Sequence, residues 1–209
     1  IETENGWTST NERIEFPKEP GKEWTDYVEL DRMEISCGEA PYITSRYDTV
    51  SGEFINVPDR IGLLDRKLRV ISENTNNEDD WLKWAYRAVQ SIYGFDWQGD
   101  NLLIARENIL FDVLEYFENK FQKKIETSHL IEFAKIISWN IWQMDGLKYV
   151  IPDSCKIEEK LQLTLFEENG DSCPGCINNH HHQHKGVYCY VMDWKANKKV
   201  KFINLLMEK

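Results

Sequence analysis

Positive charge is in short supply in this chain: 25 Lys and Arg stand against 36 Asp and Glu, a formal charge of −11. Phosphate contacts need Lys and Arg, so this balance excludes a protein that coats nucleic acid with its whole surface. It leaves room for a local basic patch. Long hydrophobic runs are missing as well. Nothing approaches the ~18 consecutive apolar residues of a membrane-spanning helix, so no membrane association is expected. The first ten residues, IETENGWTST, have neither a positively charged start nor the apolar stretch of a signal peptide, and a cytoplasmic location is the expectation. Five cysteines in 209 residues are too few and too unevenly placed for a disulfide framework. There is no internal repeat and no extended low-complexity segment.

What is present is core material. Eight Trp, nine Tyr and nine Phe within 41% hydrophobic residues can build one sizeable core with a small appended module. Residues 1–23, with Pro17, Pro20, Gly6 and Gly21 among charges, read as an extended arm. Helical spacing of apolar residues begins near Trp24 and returns after Arg60, where Ile61, Leu64, Leu68 and Ile71 share a face. Residues 45–59 read as a loop or hairpin around Ser51-Gly52. Further helices are predicted over 81–90, from about 101 to 121, and over 128–144, with a short strand over 149–153. The carboxylates Glu78, Asp79 and Asp80 precede the first of these and suit a helix start better than a metal-dependent nuclease. Residues 157–166 alternate in their second half. Two strands, 187–194 and 199–206, flank the turn Lys195–Lys198.

The last third carries the densest chemistry. Cys173-Pro174-Gly175-Cys176 is followed by His180, His181, His182 and His184, then Cys189. A C-x2-C step lets two thiolates grip one ion from a tight turn, and the Pro-Gly interior suits that turn. Cys173, Cys176, His184 and Cys189 make a closed Cys3His set for a structural zinc ion, with His181 as the alternative histidine. No His has a Glu two residues later, which removes the zinc-deaminase pattern. The neighbouring Lys185, Lys195, Lys198, Lys199 and Lys201 form the most basic part of an acidic chain. They suit either solubility or a DNA-phosphate contact.

A second pattern lies in Ser91–Leu110, SIYGFDWQGDNLLIARENIL. A short β-type run ends on Asp96, a polar break follows, and a helix begins. In a doubly wound sheet a carboxylate at a strand's C-terminal end faces the ligand crevice, where it can accept hydrogen bonds from a ribose. Trp139-Asn140-Ile141-Trp142-Gln143 could stack on an unpaired base, although tryptophans on an apolar helix are ordinarily core. Arg46, Asp48, Glu53, Arg60, Asp65 and Arg66 form a polar set, readable as a core ion-pair network or as a pocket.

Met33–Tyr42, MEISCGEAPY, resembles the first motif of DNA adenine methyltransferases, in which a turn after a strand cradles the methionine part of S-adenosylmethionine. Cys37 and Gly38 match it, while Glu39 replaces a small residue and the second glycine is missing. Ile92–Leu110 resembles the second motif, with Asp96 at the ribose-binding position. The wider chain, over roughly 24–206, resembles phage and bacterial proteins labelled "restriction endonuclease subunit M". The matching stretches are 35–53, 60–75, 93–110, 136–155 and the Cys–His tail.

This resemblance implies an α/β fold with a methyltransferase-like, Rossmann-type three-layer core over 24–155 and a small zinc-binding β module over 156–209. It implies S-adenosylmethionine held by Cys37, Gly38, Glu39 and Asp96, adenine-N6 methylation if the chain is active, DNA contact through the lysine-rich module, and a second restriction-modification subunit as partner. Such enzymes hold the flipped base with Asn or Asp followed by Pro-Pro and an aromatic residue. None of the six prolines here is adjacent to another, so the catalytic residues are unassigned. The competing expectation is a non-catalytic, zinc-stabilised phage protein that binds DNA or a host defence protein.

Overall fold

Apolar residues spaced three and four apart recur from Leu63 to Asn140, and four helices follow that pattern in the computed structural model. It describes residues 12–156 and 173–206, together with residues 2–3 and 6–7. The elements are β1 (Glu2–Thr3), β2 (Gly6–Trp7), α1 (Trp24–Glu29), β3 (Arg32–Ile35), α2 (Leu63–Asn74), α3 (Glu78–Gln90), β4 (Ile92–Asp96), α4 (Gly99–Phe121), α5 (Thr127–Asn140), β5 (Ile141–Gln143), α6 (Pro174–Asn178), β6 (Tyr190–Asp193) and β7 (Lys198–Lys201). The alternating stretch read at 157–166 lies outside the described residues.

Local chemistry sets the helix starts. Asn77 caps α3 by accepting the Asp80 N–H at 2.9 Å, which places Glu78, Asp79 and Asp80 in the first turn, where they complement the helix dipole. Asp65 Oδ2 reaches back to the Gly62 N–H at 2.8 Å and holds the start of α2. Helix α4 buries Leu102, Ala105, Ile109, Val113 and Phe117 along one stripe.

The sheet at the centre has three parallel strands in the order β3-β4-β5. Each crossover carries a helix pair, α2 and α3 before β4, then α4 and α5 before β5. Side chains alternate across the sheet. Ile92 and Ile141 join the main core with Leu64, Leu68, Trp81, Ile109 and Phe133. Phe95 faces the other way, into a smaller core with Met144, Cys189, Val191 and Phe202, flanked by Tyr93 and Trp142. Phe202 meets Phe95 edge-on at 5.0 Å and stacks on Tyr149 at 5.5 Å. The chain is therefore mixed α/β, with helices over one sheet face and the antiparallel hairpin β6–β7 over the other.

Three local expectations change. The helix over 128–144 stops at Asn140, and β5 starts at the next residue. The Asn140 amide explains the break. It donates to the carbonyls of Val89, Gln90 and Ile92 at 2.9, 3.1 and 2.9 Å and accepts the Trp194 indole N–H at 2.8 Å. One side chain thus bolts α3, β4 and the hairpin together, and the tryptophan-rich group acts as scaffold. The second C-terminal strand is also shorter than read, since Phe202–Leu205 turns as a 3-10 helix. Residues 149–153 form no strand; Val150 makes a single antiparallel bridge to Tyr188.

Half of the polar set around Arg46 is a buried network: Arg46, Arg60 and Asp65 are buried, whereas Asp48, Glu53 and Arg66 are exposed. Arg46 donates to Asn108 Oδ1 at 3.0 Å and to Glu115. Arg60 pairs with Asp112 at 2.9 Å and with Glu115 at 2.6 Å. Asp65 Oδ2 accepts from Ser45 and Gly62, while Asp65 Oδ1 and Asp112 Oδ2 are buried without another partner. Burial and the adjoining Asp65 carboxylate hold the Asp112 carboxyl well above its ordinary range. The set ties the 45–60 loop to α2 and α4.

Candidate metal centre and the carboxyl-end crevice

The C-x2-C step folds as the sequence suggests. Cys173 precedes α6, Pro174 opens that helix, and Cys176 lies in it. His184 follows a 3-10 turn and is buried. The Cys173 and Cys176 sulfurs each lie 3.6 Å from His184 Nδ1, and Cys155 Sγ lies 3.7 Å from the same atom. Bonds of about 2.3 Å to sulfur and about 2.0 Å to nitrogen at tetrahedral angles would put each sulfur roughly 3.5 Å from the nitrogen. The four ligand atoms all lie within 4.8 Å of one another. Cys155, Cys173, Cys176 and His184 therefore make a Cys3His cluster that could hold a metal ion such as zinc.

The fourth thiol differs from the one expected. Cys189 is buried in the smaller core, where its Sγ–H donates to the Gln143 carbonyl at 3.4 Å. Cys189 therefore lies outside the group of ligand atoms around His184 Nδ1, which takes in Cys155 instead. Cys155 takes its place because the Ile151 N–H to Val187 carbonyl bond, at 2.8 Å, lays the 151–155 segment beside residues 184–188. The metal cluster thus straddles residues 155 and 156, where the sequence divides core from module. His181 points away and packs edge-on against Tyr149 at 5.2 Å, which leaves His184 as the ligand of the two.

The surroundings favour a charged sulfur at Cys173, while burial and the neighbouring Cys173 push the Cys155 thiol up to about 11. Burial raises the Cys173 thiol, but backbone N–H donors from Lys185 and Cys176, with His184 and Cys155, outweigh it and bring Cys173 to about 6. Lys185 N–H lies 3.2 Å from that sulfur. The Tyr188 hydroxyl accepts the His184 N–H at 3.0 Å and donates to the His181 carbonyl at 2.7 Å, holding the loop behind the ligand. Two glycines allow the close approach. A Cβ at Gly175 would meet His184 Nδ1 at 2.7 Å, and one at Gly186 would meet Cys155 Sγ at 2.8 Å. Gly186→Ala is expected to lower zinc affinity by about 10–100-fold, as loss of supporting contacts does elsewhere; competition with a chromogenic chelator measures it.

The proposed cofactor residues are also neighbours, but they bind one another. Asp96 ends the central strand β4, and its Oδ2 accepts the Gly38 N–H at 3.0 Å. Its Oδ1 accepts the Gln98 N–H at 2.8 Å and the Asn101 amide at 3.4 Å. Cys37 is buried in the main core, and Glu39 accepts the Tyr47 hydroxyl at 2.6 Å. Ser36, Gly38 and Ala40 all take positive φ in this turn, a compact loop held shut by Asp96. As placed, Asp96 does not fit a ribose diol, since three of its roughly four acceptor sites are used and a diol needs two.

Beside Asp96, Glu34 keeps Oε2 buried without a partner. Burial and the Asp96 charge raise its carboxyl from 4.5 to about 7. A raised carboxyl favours folding below its unfolded value and loses that favour as pH climbs to the folded one. Glu34→Gln should therefore stabilise the protein by about 2 kcal/mol at pH 8 and leave it unchanged below pH 4.5, as denaturant melts at the two pH values would show.

A cavity of 510 Å³ lies elsewhere, between the amino ends of β3 and β4 and the hairpin. Its rim balances Glu29, Asp31 and Asp193 against Arg32, Arg87 and Lys195, so charge selects no ligand there. No protein-family profile, curated protein or solved structure matches this chain. None of the described helices is long and apolar enough to cross a membrane.

Proposed function

We propose that this protein is a zinc-stabilised, DNA-binding component of a DNA-modification or restriction system, acting without a catalytic residue of its own. The Cys3His cluster carries this reading, because it anchors the segment that leads into the most lysine-rich surface of the chain. Zinc held by Cys155, Cys173, Cys176 and His184 has no open position for substrate, and such a closed site is structural. The ion would fix the 184–188 turn and, through it, the hairpin. On β7, Lys199 lies 4.2 Å from the Tyr190 ring and Lys201 lies 5.1 Å from the Tyr188 ring. Lys195 sits on the exposed turn before β7, and the exposed Lys198 opens that strand. None of these four lysines forms an ion pair among the described residues.

Fluorescence anisotropy with labelled duplex DNA tests the reading. Binding should weaken as salt rises, and changing Lys195, Lys198 and Lys199 together to Gln should flatten the salt slope by up to about 2.7, near 0.9 per phosphate contact. No anisotropy change at low salt, or a slope untouched by the triple variant, contradicts it.

S-adenosylmethionine binding is the second reading, favoured by the place of Asp96 at the carboxyl end of a central parallel strand. It requires Asp96 to release Gly38 or Gln98. Titration calorimetry separates the two: micromolar binding that disappears in Asp96→Ala supports the cofactor, whereas a flat titration supports the non-catalytic component.

A further inference from the structure

Beyond the carboxyl end of β5 lies a second cavity of 290 Å³, lined by Gly99, Leu102, Arg106, Trp142, Gln143 and Ile151. Arg106 is the one charged residue in that lining. Its Nε and Nη2 both donate to the Ile141 carbonyl, at 3.1 and 2.7 Å, which fixes the guanidinium against the strand. That carbonyl uses two of five N–H donors, and no carboxylate pairs with Arg106 among the described residues. Burial lowers the Arg106 pKa, with no neighbouring charge to offset it. A half-buried guanidinium of fixed orientation, without a counter-ion in a chain of charge −11, is an electrostatic vacancy of one sign.

The rest of the lining defines the body of the ligand. Leu102, Trp142 and Ile151 are apolar or aromatic, and Gln143 already gives its amide N–H to the Trp97 carbonyl at 2.8 Å. We infer that this cavity binds a small organic anion, a carboxylate or phosphate monoester on an aromatic or apolar body, with the oxyanion on Arg106. The guanidinium fork matches either oxyanion in a bidentate pair, while Leu102, Trp142 and Ile151 bury the uncharged part. The inference is independent of both zinc and S-adenosylmethionine, since none of their assigned residues lines the cavity.

Gly99 supplies a clean test. It lies in the first turn of α4, and a Cβ there would meet only Gln143 Nε2, at 3.8 Å. Gly99→Leu therefore fits the backbone, favours the helix and fills the cavity. Calorimetry on the zinc-loaded protein would use benzoate and phenyl phosphate as probes, with uncharged benzamide as control and tryptophan emission as a second readout. The expected result is binding of at least one anion and not of benzamide, weakened about tenfold or more in Arg106→Gln and abolished in Gly99→Leu with no loss of melting temperature. The tighter probe identifies carboxylate or phosphate as the natural group. Failure of both anions to bind at millimolar concentration, or equal binding by Gly99→Leu, overturns the inference. Arg106→Lys covers a folding defect in Arg106→Gln, because it keeps the charge and loses the fork.

Discussion

Cys155→Ser should strip the protein of zinc, whereas Cys189→Ser should keep it. The two thiols are 34 residues apart in sequence, and spacing alone favours Cys189, but only Cys155 lies within reach of His184 Nδ1. A site filled a thousandfold above its dissociation constant contributes about 4 kcal/mol. In a chain of this size that corresponds to roughly 8–16 °C in melting temperature. Losing one of three thiolates should remove most of it, and chelator treatment of the parent protein should give the same drop. Cys189→Ser keeps the donor to the Gln143 carbonyl and should cost about 1–2 kcal/mol, from a hydroxyl in an apolar core. Metal content and melting curves of the two variants, side by side, decide between the thiols. A Cys189→Ser protein without zinc would reverse the assignment.

The second large effect lies in the buried network. Arg60→Met should destabilise by about 1–3 kcal/mol, because it leaves the buried Asp112 carboxyl without its donor and Glu115 with Arg46 alone. Asp112→Asn should behave in the opposite way. The environment raises the Asp112 carboxyl and so favours its neutral form, and an Asn amide is neutral at every pH. The raised carboxyl favours folding below about pH 3.8, and that advantage is lost as pH rises toward the folded value. Asp112→Asn should therefore match the parent near pH 4 and equal or exceed it at pH 7. Urea melts of both variants at the two pH values test this; similar losses for Arg60→Met and Asp112→Asn at pH 7 would mean that the Asp112 carboxyl is ionised.

The helices were legible because their apolar spacing survives in the structure with bounds moved by only a few residues. Asn77 and Asp65 are helix-start residues whose role follows from local chemistry. Strand β5 was not legible, since Ile141-Trp142-Gln143 continues the helical pattern of α5. Its strand identity comes from the Asn140 side chain reaching α3 and β4, a tertiary contact without a local signal. The metal site shows the same division. Cys173, Cys176 and His184 lie in one turn-rich segment and were readable from spacing. Cys155 comes from the far side of residues 157–172, and its proximity depends on the 151–155 segment running beside residues 184–188. Gly186 was the available signal, a small residue where Cys155 must pass close. Asp96 was found by position, but the donors that occupy it come from Gly38, Gln98 and Asn101, and only the fold reveals them.

X-ray absorption at the zinc edge of the purified protein tests the Cys3His assignment most directly. About one zinc per chain is expected, with three sulfur neighbours near 2.3 Å and one nitrogen near 2.0 Å, falling to two sulfurs or to no metal in Cys155→Ser. Fewer than three sulfur neighbours in the parent, a coordinated water in place of a thiolate, or three sulfurs that persist without Cys155 would contradict it.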